Sequence, residues 1–258
     1  MKQLGIIGCG WLGLRLAKHF ANAYQIHTTT TSIIKKENLL AQGFDVTIIA
    51  FPDQEINTND TTWDCLHELE ALIITVPFSK QMELVQLQKR FENISKFIAG
   101  FNKPIFLISS TGIYPDVNVE INEHTFTDDE LHKNLIGVEN LMREKFTQIN
   151  VLRLGGIMGD DRYLSKYNVS NQEQPVNHIH YQDIGYVIEK MLAKNCAGKT
   201  YNVVASLHPS KSAVINYQKG ITASSIDDMP VGGRVVSSAA LIQELNYTFI
   251  NPNPITFK

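Results

Sequence analysis

The sequence predicts an α/β fold in which a doubly wound parallel sheet is joined to a smaller C-terminal substrate lobe. Three observations predict it. Short, fully apolar runs are typical of strands that are buried on both faces of a sheet. These runs alternate with segments of helical periodicity, as strand–helix–strand units require. The first run ends in the glycine-rich sequence Gly8-Cys9-Gly10-Trp11-Leu12-Gly13, which leads directly into a helical pattern.

The individual elements follow from local patterns. Apolar or β-branched runs predict six strands at residues 3–7, 24–30, 44–49, 71–76, 104–108 and 149–154. Helices are predicted between them at residues 11–23, 37–41, 80–98 and 128–146. Later, we expect a helix at 183–193, a strand at 200–204 and a loop-rich segment from 207 to 258. This pattern indicates a Rossmann-type core of residues 1–154 and a mixed α/β substrate-side lobe of residues 155–258, interleaved with the core as one structural domain.

Composition limits the function classes. The net charge of −3 and the lack of a basic stripe indicate no nucleic-acid partner. No stretch reaches the ~20 apolar residues of a membrane span. Three scattered cysteines fit a reducing compartment, so we expect a cytoplasmic protein. We expect no metal site, because the closely spaced His178 and His180 lack a third ligand at suitable spacing.

The glycine-rich turn predicts a nicotinamide dinucleotide as the ligand. Gly8 permits the tight turn, Gly10 lets the backbone approach a pyrophosphate, and Gly13 lets the helix pack on the strand. The helix N-terminus offers N–H groups and a positive dipole end to the phosphates. The remaining residues assigned to this site are Trp11, Leu12, Thr75, Val76 and Pro77. A glycine turn without a ligand is the alternative.

The end of the second strand favours NADP over NAD. An acidic residue there holds the ribose hydroxyls of NAD, whereas a basic group accommodates the phosphate of NADP. This chain carries hydroxyls and an amine instead of an acid, at Thr30, Thr31, Ser32 and Lys35. NAD remains the alternative, because threonines also suit a strand and lysines also suit a solvated helix.

Four later segments resemble those of the extended short-chain dehydrogenase/reductase proteins, the group of NAD-dependent epimerases and dehydratases. The segment ISSTGIY at 108–114 resembles the fifth-strand motif that carries the catalytic Ser or Thr. The segment RLGGIMGDDR at 153–162 resembles the loop after the sixth strand. The segments NHIHYQDI at 177–184 and GKTYNVV at 198–204 are similar to two later family motifs. The four segments occur in the family order and cover nearly the whole chain. The glycine-rich turn resembles that of an atypical subfamily of this group.

The resemblance implies roles for residues of these segments. It implies that Ser110 polarises a substrate carbonyl and that His180 holds its loop by hydrogen bonds. It implies cofactor contacts for Ser109, Gly155 and Gly156, and substrate contacts for Thr111 and His178. Arg162 is a candidate substrate contact because its planar guanidinium suits an anionic group, and an exposed loop residue is the alternative. It also implies a small-molecule substrate and allows a homodimer.

The expected Tyr-x-x-x-Lys pair is missing. Leu131 and Leu135 stand where the family places the Tyr and the Lys, and neither can transfer a proton. Ser110, Tyr114 and His132 are the candidate substitutes, and each has a structural alternative. Two interpretations therefore stay open. The chain is an atypical oxidoreductase or epimerase that acts on a small carbonyl or sugar-derived substrate, or it is a non-catalytic dinucleotide-binding sensor or regulatory protein.

Overall fold

The computed structural model describes residues 1–54, 62–221 and 230–258. Its strands are Lys2–Ile7 (β1), Tyr24–Thr30 (β2), Asp45–Ile48 (β3), Leu69–Ile74 (β4), Ile105–Ser110 (β5), Glu120–Ile121 (β6), Ile149–Leu154 (β7), Gly156–Met158 (β8), His178–His180 (β9), Thr200–Val203 (β10) and Val235–Val236 (β11). Its helices are Trp11–Phe20 (α1), Ile33–Leu40 (α2), Leu84–Phe97 (α3), Lys133–Lys145 (α4), Tyr181–Ala193 (α5), Lys211–Gln218 (α6) and Ala239–Leu245 (α7).

The main sheet has the predicted doubly wound order. Within the described residues it contains seven strands in the order β10-β7-β5-β4-β1-β2-β3. Strand β1 pairs in parallel with both β2 and β4, and the parallel pairing continues from β2 to β3 and from β4 to β5. The winding reverses between β1 and β4, where doubly wound folds bind ligands beyond the carboxyl ends of the strands. The predicted fold class is therefore confirmed.

Two predicted helix starts were wrong, because N-capping side chains decide where these helices begin. Helix α2 begins at Ile33 rather than at residue 37, since the Ser32 hydroxyl accepts a hydrogen bond from the Lys35 N–H. Helix α4 begins at Lys133 rather than at residue 128, because His132 caps it and residues 128–130 form a separate 3₁₀ turn. Because histidine is a rare N-cap, this helix start has no recognisable sequence signal.

The segment predicted to be loop-rich, residues 207–258, contains regular structure. Helices α6 and α7 and strand β11 all lie in it. Helix α6 is capped by the Ser210 hydroxyl, which accepts from the Ala213 N–H at 3.1 Å. Its buried Val214 and Ile215 pack in a core with Leu164, Val176 and Ile255. An eight-residue helix is too short to show a clear helical period in the sequence.

The chain forms two compact units. The first consists of Met1–Ser109, Leu131–Leu152 and Asn195–Lys199, and the second of Ser110–Glu130, Arg153–Lys194 and Thr200–Lys258. The second unit thus includes residues 110–130, which the sequence division placed in the core of residues 1–154. None of the helices in the described ranges has the length and apolar character that a membrane crossing needs.

Candidate functional site

The first unit contains a cavity of about 360 Å³ at the glycine-rich turn. Eight residues assigned to the dinucleotide line it: Gly8, Gly10, Thr30, Thr31, Lys35, Thr75, Val76 and Pro77. Sequence reasoning missed six further lining residues, which are Cys9, Thr29, Ile49, Ala50, Phe51 and Arg90. Trp11, Leu12, Gly13, Ser32 and Ser109 belong to the same unit but do not line the cavity. The turn and the ends of β2, β3 and β4 therefore meet at one place.

Two glycines of the turn are required by the packing of the protein itself. Gly8 has a φ of +94°, a backbone conformation that residues with a side chain rarely adopt. A Cβ at Gly13 would lie 2.4 Å from the Gly8 carbonyl oxygen and 3.0 Å from Thr75 Oγ1. Helix α1 can approach β1 this closely only because position 13 has no side chain.

Neither backbone conformation nor packing requires a glycine at position 10. Its φ of −83° is open to any residue, and a Cβ placed there would meet no atom of the described residues within 4 Å. Gly10 lines the cavity, so packing within the chain leaves this space empty. Helix α1 begins at the next residue without a side-chain cap and without an acid in its first turn. The N–H groups of the first helical turn have no partner within the helix, and together with the helix dipole they make this point suitable for an anion.

Threonine hydroxyls hold the turn in place. Thr29 Oγ1 accepts from the Gly8 N–H at 2.9 Å, and the Thr29 carbonyl accepts from the Cys9 N–H at 2.9 Å. Thr75 Oγ1 donates to the Gly8 carbonyl from the neighbouring strand β4. These threonines lie at strand ends and fix the position of the glycines. The threonine run of β2 thus serves the structure as well as the cavity.

Two cations line the cavity in different electrostatic states. Lys35 is exposed and forms no salt bridge with a described residue. Arg90, on α3, is paired with Asp53 through Nε–Oδ1 at 2.8 Å and Nη2–Oδ2 at 3.0 Å. Burial raises the pKa of the Cys9 thiol, which the charge of Lys35 only partly offsets. Cys9 is therefore a neutral wall of the cavity and not a thiolate.

Ser109 has its hydroxyl committed within the first unit. Its Oγ donates to the buried Glu139 Oε1 at 2.6 Å, and Glu139 Oε2 accepts from Arg143 Nη2 at 2.9 Å. Glu139 is fully buried, so it needs these partners. The Ser109 side chain therefore contacts the core of the first unit. The cofactor contact assigned to Ser109 stays a prediction.

Ser110 opens the second unit and keeps a donor available. Its Oγ accepts from the Gly112 N–H at 3.0 Å, which begins the 3₁₀ turn of residues 111–113. Its own hydroxyl hydrogen is donated to no residue in the described parts of the chain. Thr111, the predicted substrate contact, is buried in the same turn.

Tyr114 and His132 are placed in structural roles. The Tyr114 hydroxyl donates to Asn202 Oδ1 at 2.7 Å and accepts from Arg153 Nη1 at 3.0 Å. Burial raises the pKa of Tyr114, which is the wrong direction for proton transfer near neutral pH. In the first unit, His132 Nδ1 accepts from the Asn134 N–H at 3.4 Å and caps α4. These contacts argue against both as replacements for the missing acid.

The glycine pair after β7 has a packing role in the second unit. A Cβ at Gly155 would lie 2.4 Å from the Asn177 carbonyl oxygen, and one at Gly156 would lie 2.6 Å from His178 Cδ2. Strands β8 and β9 run in parallel here, with the Gly156 N–H donating to the Asn177 carbonyl at 2.8 Å. Arg162 is bonded through its backbone to Gly159 and is half-buried.

Two histidines of β9 differ in environment. Burial lowers the pKa of His178 to about 4, and the charge of Lys211 acts in the same direction. His178 is therefore neutral at pH 7, and its buried Nδ1 has no hydrogen-bond partner among the described residues. His180 Nδ1 faces the Asn251 amide at 3.2 Å, and its Nε2 lies 3.0 Å from the Lys258 carbonyl oxygen. His180 thus contacts the C-terminal segment through both ring nitrogens, and its loop-holding role stays a prediction.

Comparison with known proteins finds similar sequences and similar solved structures. No family model matches the chain. Protein YeeZ of Escherichia coli (strain K12) is 24% identical over 272 residues, which cover 99% of this chain and 98% of YeeZ. The yeast methylglyoxal/isovaleraldehyde reductase Gre2, solved with NADPH, matches with a TM-score of 0.75 at 11% identity, over 96% of this chain and 94% of Gre2.

A further structural match is an epimerase. UDP-glucuronic acid 4-epimerase from Bacillus cereus, solved with NAD, has a TM-score of 0.69 at 16% identity, over 97% of this chain and 92% of the epimerase. At these identities the likeness concerns the fold. The chain therefore has the fold of these reductase and epimerase structures.

Proposed function

We propose that the chain binds NADP(H) in the cavity at the glycine-rich turn. Gly10 is the observation that carries this proposal. Its missing side chain leaves empty space beside the uncapped N-terminus of α1, and the chain's own packing does not require that space. A pyrophosphate fits there, because free backbone N–H groups and the positive helix end both stabilise negative charge.

The charges of the cavity support NADP over NAD. The described residues that line it include no Asp or Glu to hold the adenosine ribose hydroxyls. They include Lys35 and the hydroxyl of Thr31, which suit the additional phosphate of NADP. Lys35 is the better phosphate ligand of the two cations, because Arg90 is already neutralised by Asp53. The structural matches include complexes with NADPH and with NAD, so the preference depends on these residues.

Binding without catalysis is one candidate function, that of a redox sensor or regulatory protein. Bound NADP(H) would supply a nicotinamide that donates or accepts hydride. The residues usually needed beside it are missing, since Leu131 and Leu135 replace the Tyr and Lys. Tyr114 and His132 are committed to hydrogen bonds in their own units.

A reductase or epimerase for a small carbonyl or sugar-derived substrate is the second candidate, and Ser110 favours it. The Ser110 hydroxyl keeps its hydrogen for an external acceptor, as a group that polarises a carbonyl must. In the proteins that the motif resembles, the equivalent residue contacts the substrate. The proton would then come from water or the substrate itself.

Cofactor preference is tested by titrating NADPH and NADH and following the intrinsic tryptophan fluorescence, to which Trp11 of the turn contributes. We expect NADPH to bind more tightly. Lys35→Ala should weaken NADPH binding about 10- to 100-fold and leave NADH unchanged, because one charged hydrogen bond is worth about 1.5–3 kcal/mol. Lys36→Ala is the matched control, since Lys36 does not line the cavity. If neither dinucleotide binds, the proposal fails; equal affinities with an inert Lys35→Ala would refute only the NADP preference.

Catalysis is tested separately by following NADPH oxidation with a panel of aldehydes, ketones and nucleotide sugars. Turnover that falls about 100-fold in Ser110→Ala, with unchanged NADPH affinity, would support the enzyme. NADPH binding without turnover of any panel member would support the sensor. Turnover that is unaffected in Ser110→Ala would remove the assigned role of this serine.

A further inference from the structure

Arg90 lines the cavity with a guanidinium group, and most of its N–H donors are already directed at protein atoms. The guanidinium has five N–H groups. Nε and Nη2 bond the Asp53 carboxylate at 2.8 and 3.0 Å. Nη1 lies 3.4 Å from the Pro77 carbonyl oxygen and 3.8 Å from Met82 Sδ. Four of the five N–H directions therefore point at the protein, and the edge of the guanidinium is poorly suited to a phosphate.

Because the N–H edge is occupied, the flat face of the guanidinium is the part of Arg90 that remains for a ligand to contact. Arg90 lines the cavity, and its side chain is 20% exposed. A planar, weakly hydrated guanidinium stacks well on the face of an aromatic ring. Pairing with Asp53 holds the plane in one orientation, so little side-chain entropy is lost when a ring stacks on it.

The loop after β3 supports this arrangement. Asn93, one turn further along α3, donates its amide to the Pro52 carbonyl at 3.0 Å and to the Gln54 carbonyl at 2.9 Å. These bonds fix the loop on either side of Asp53, and hence fix the carboxylate that orients Arg90. Helix α3 thus holds both partners of the pair.

The other groups near the end of β3 indicate what stacks there. Ile49, Ala50 and Phe51 give the same cavity an apolar wall. An apolar wall combined with a cation presented by its face suits a flat aromatic heterocycle. Resting on the proposed NADP(H) binding, we propose that Arg90 stacks on the adenine ring and determines specificity for the adenine half of the cofactor.

The experiment separates stacking from phosphate binding. Dissociation constants are measured for NADPH, 2′,5′-ADP, 5′-AMP and reduced nicotinamide mononucleotide with wild type, Arg90→Ala and Arg90→Lys. We expect both variants to lose about tenfold in affinity for the three adenine probes, because Lys keeps the charge but lacks the planar face. Affinity for the mononucleotide, which lacks adenine, should not change. Lys96→Ala removes an exposed cation from the same helix and should have no effect.

Distinct results would overturn the inference. If Arg90→Lys keeps wild-type affinity while Arg90→Ala loses it, Arg90 acts as a charge, and a loss confined to NADPH and 2′,5′-ADP, with 5′-AMP unaffected, identifies Arg90 as a ligand of the 2′-phosphate. If both variants bind all adenine probes normally, Arg90 only fastens the loop. Equal weakening of the mononucleotide would indicate damage to the whole site and would also refute stacking. Wild type that binds no NADPH refutes the proposed function itself, whereas normal wild-type binding with inert variants refutes this inference alone.

Discussion

Gly10 and Gly13 provide a matched pair that separates ligand binding from folding. Both are glycines of one turn, three residues apart, and each can be changed to alanine by adding one methyl group. At Gly13 the methyl would lie 2.4 Å from a backbone oxygen, closer than the 3.0 Å that real Cβ contacts respect. At Gly10 it would meet nothing within 4 Å. The same chemical change should therefore have opposite consequences.

The magnitudes follow from these distances. Gly13→Ala must push α1 away from the turn, and overpacking of this kind costs about 1–3 kcal/mol of unfolding free energy. For a chain of this size that corresponds to a melting temperature lower by about 3–10 °C. For Gly10→Ala, the lower entropy of the unfolded chain and the poorer helix cap act in opposite directions, so stability should change by less than about 1 kcal/mol.

Binding should follow the reverse order. The Gly10→Ala methyl enters the space assigned to the pyrophosphate and should weaken NADPH about 10- to 100-fold, since charge-assisted hydrogen bonds are worth about 1.5–3 kcal/mol. Thermal unfolding with and without NADPH, together with fluorescence titration, measures both quantities. If Gly10→Ala binds NADPH like wild type, the cavity does not hold the pyrophosphate at this turn. If Gly13→Ala melts like wild type, the packing argument is wrong.

Three further predictions concern groups outside this pair. Tyr114→Phe should lower the unfolding free energy by about 1–3 kcal/mol, because Asn202 loses its buried partner, and any turnover should persist; abolished turnover in a stable variant would restore Tyr114 as a catalyst. Thr29→Val should destabilise by about 1–3 kcal/mol through the unpaired Gly8 N–H, as urea unfolding will show, and an unchanged midpoint would contradict this. The pKa of His178 is lowered to about 4 from 6.5, so the unfolded chain binds the extra proton and stability falls as pH drops through this window. His178→Gln should reduce that slope by up to ~1.4 kcal/mol per pH unit in urea titrations, and an unaltered slope would show that His178 is protonated in the folded state.

The core of the fold could be predicted because its information is local. Most strands of the main sheet lie in apolar or β-branched runs, and the turn from Gly8 to Gly13 is contiguous in sequence. The carboxyl ends of β1, β2 and β4 meet at one edge by topology alone, so Thr30, Thr31 and Thr75 could be assigned to one site. These positions now line a single cavity.

The parts of the site that could not be predicted depend on side chains that are far apart in sequence and meet in the folded protein. Arg90 reaches Asp53 from 37 residues away, and its position within a helix gave no motif. Tyr114 looked catalytic because of its neighbours in sequence, but its hydroxyl is bonded to Asn202, 88 residues later. Such partners are set by tertiary packing, which no local pattern encodes.

The missing Tyr-Lys pair is more than the loss of two side chains. In the proteins that the motifs resemble, both residues lie on one helix, whereas here α4 begins only at Lys133, after the His132 cap. Leu131 therefore precedes the helix that contains Leu135, and the two positions do not share a helical face. Leu131 is 5% exposed and Leu135 is 2% exposed, so both belong to the apolar core of the first unit. A lysine at 135 would bury an unpaired ammonium, at a cost of several kcal/mol. The usual proton relay is thus incompatible with how this helix begins and packs, and any chemistry on the proposed nicotinamide cofactor would have to take its proton by another route.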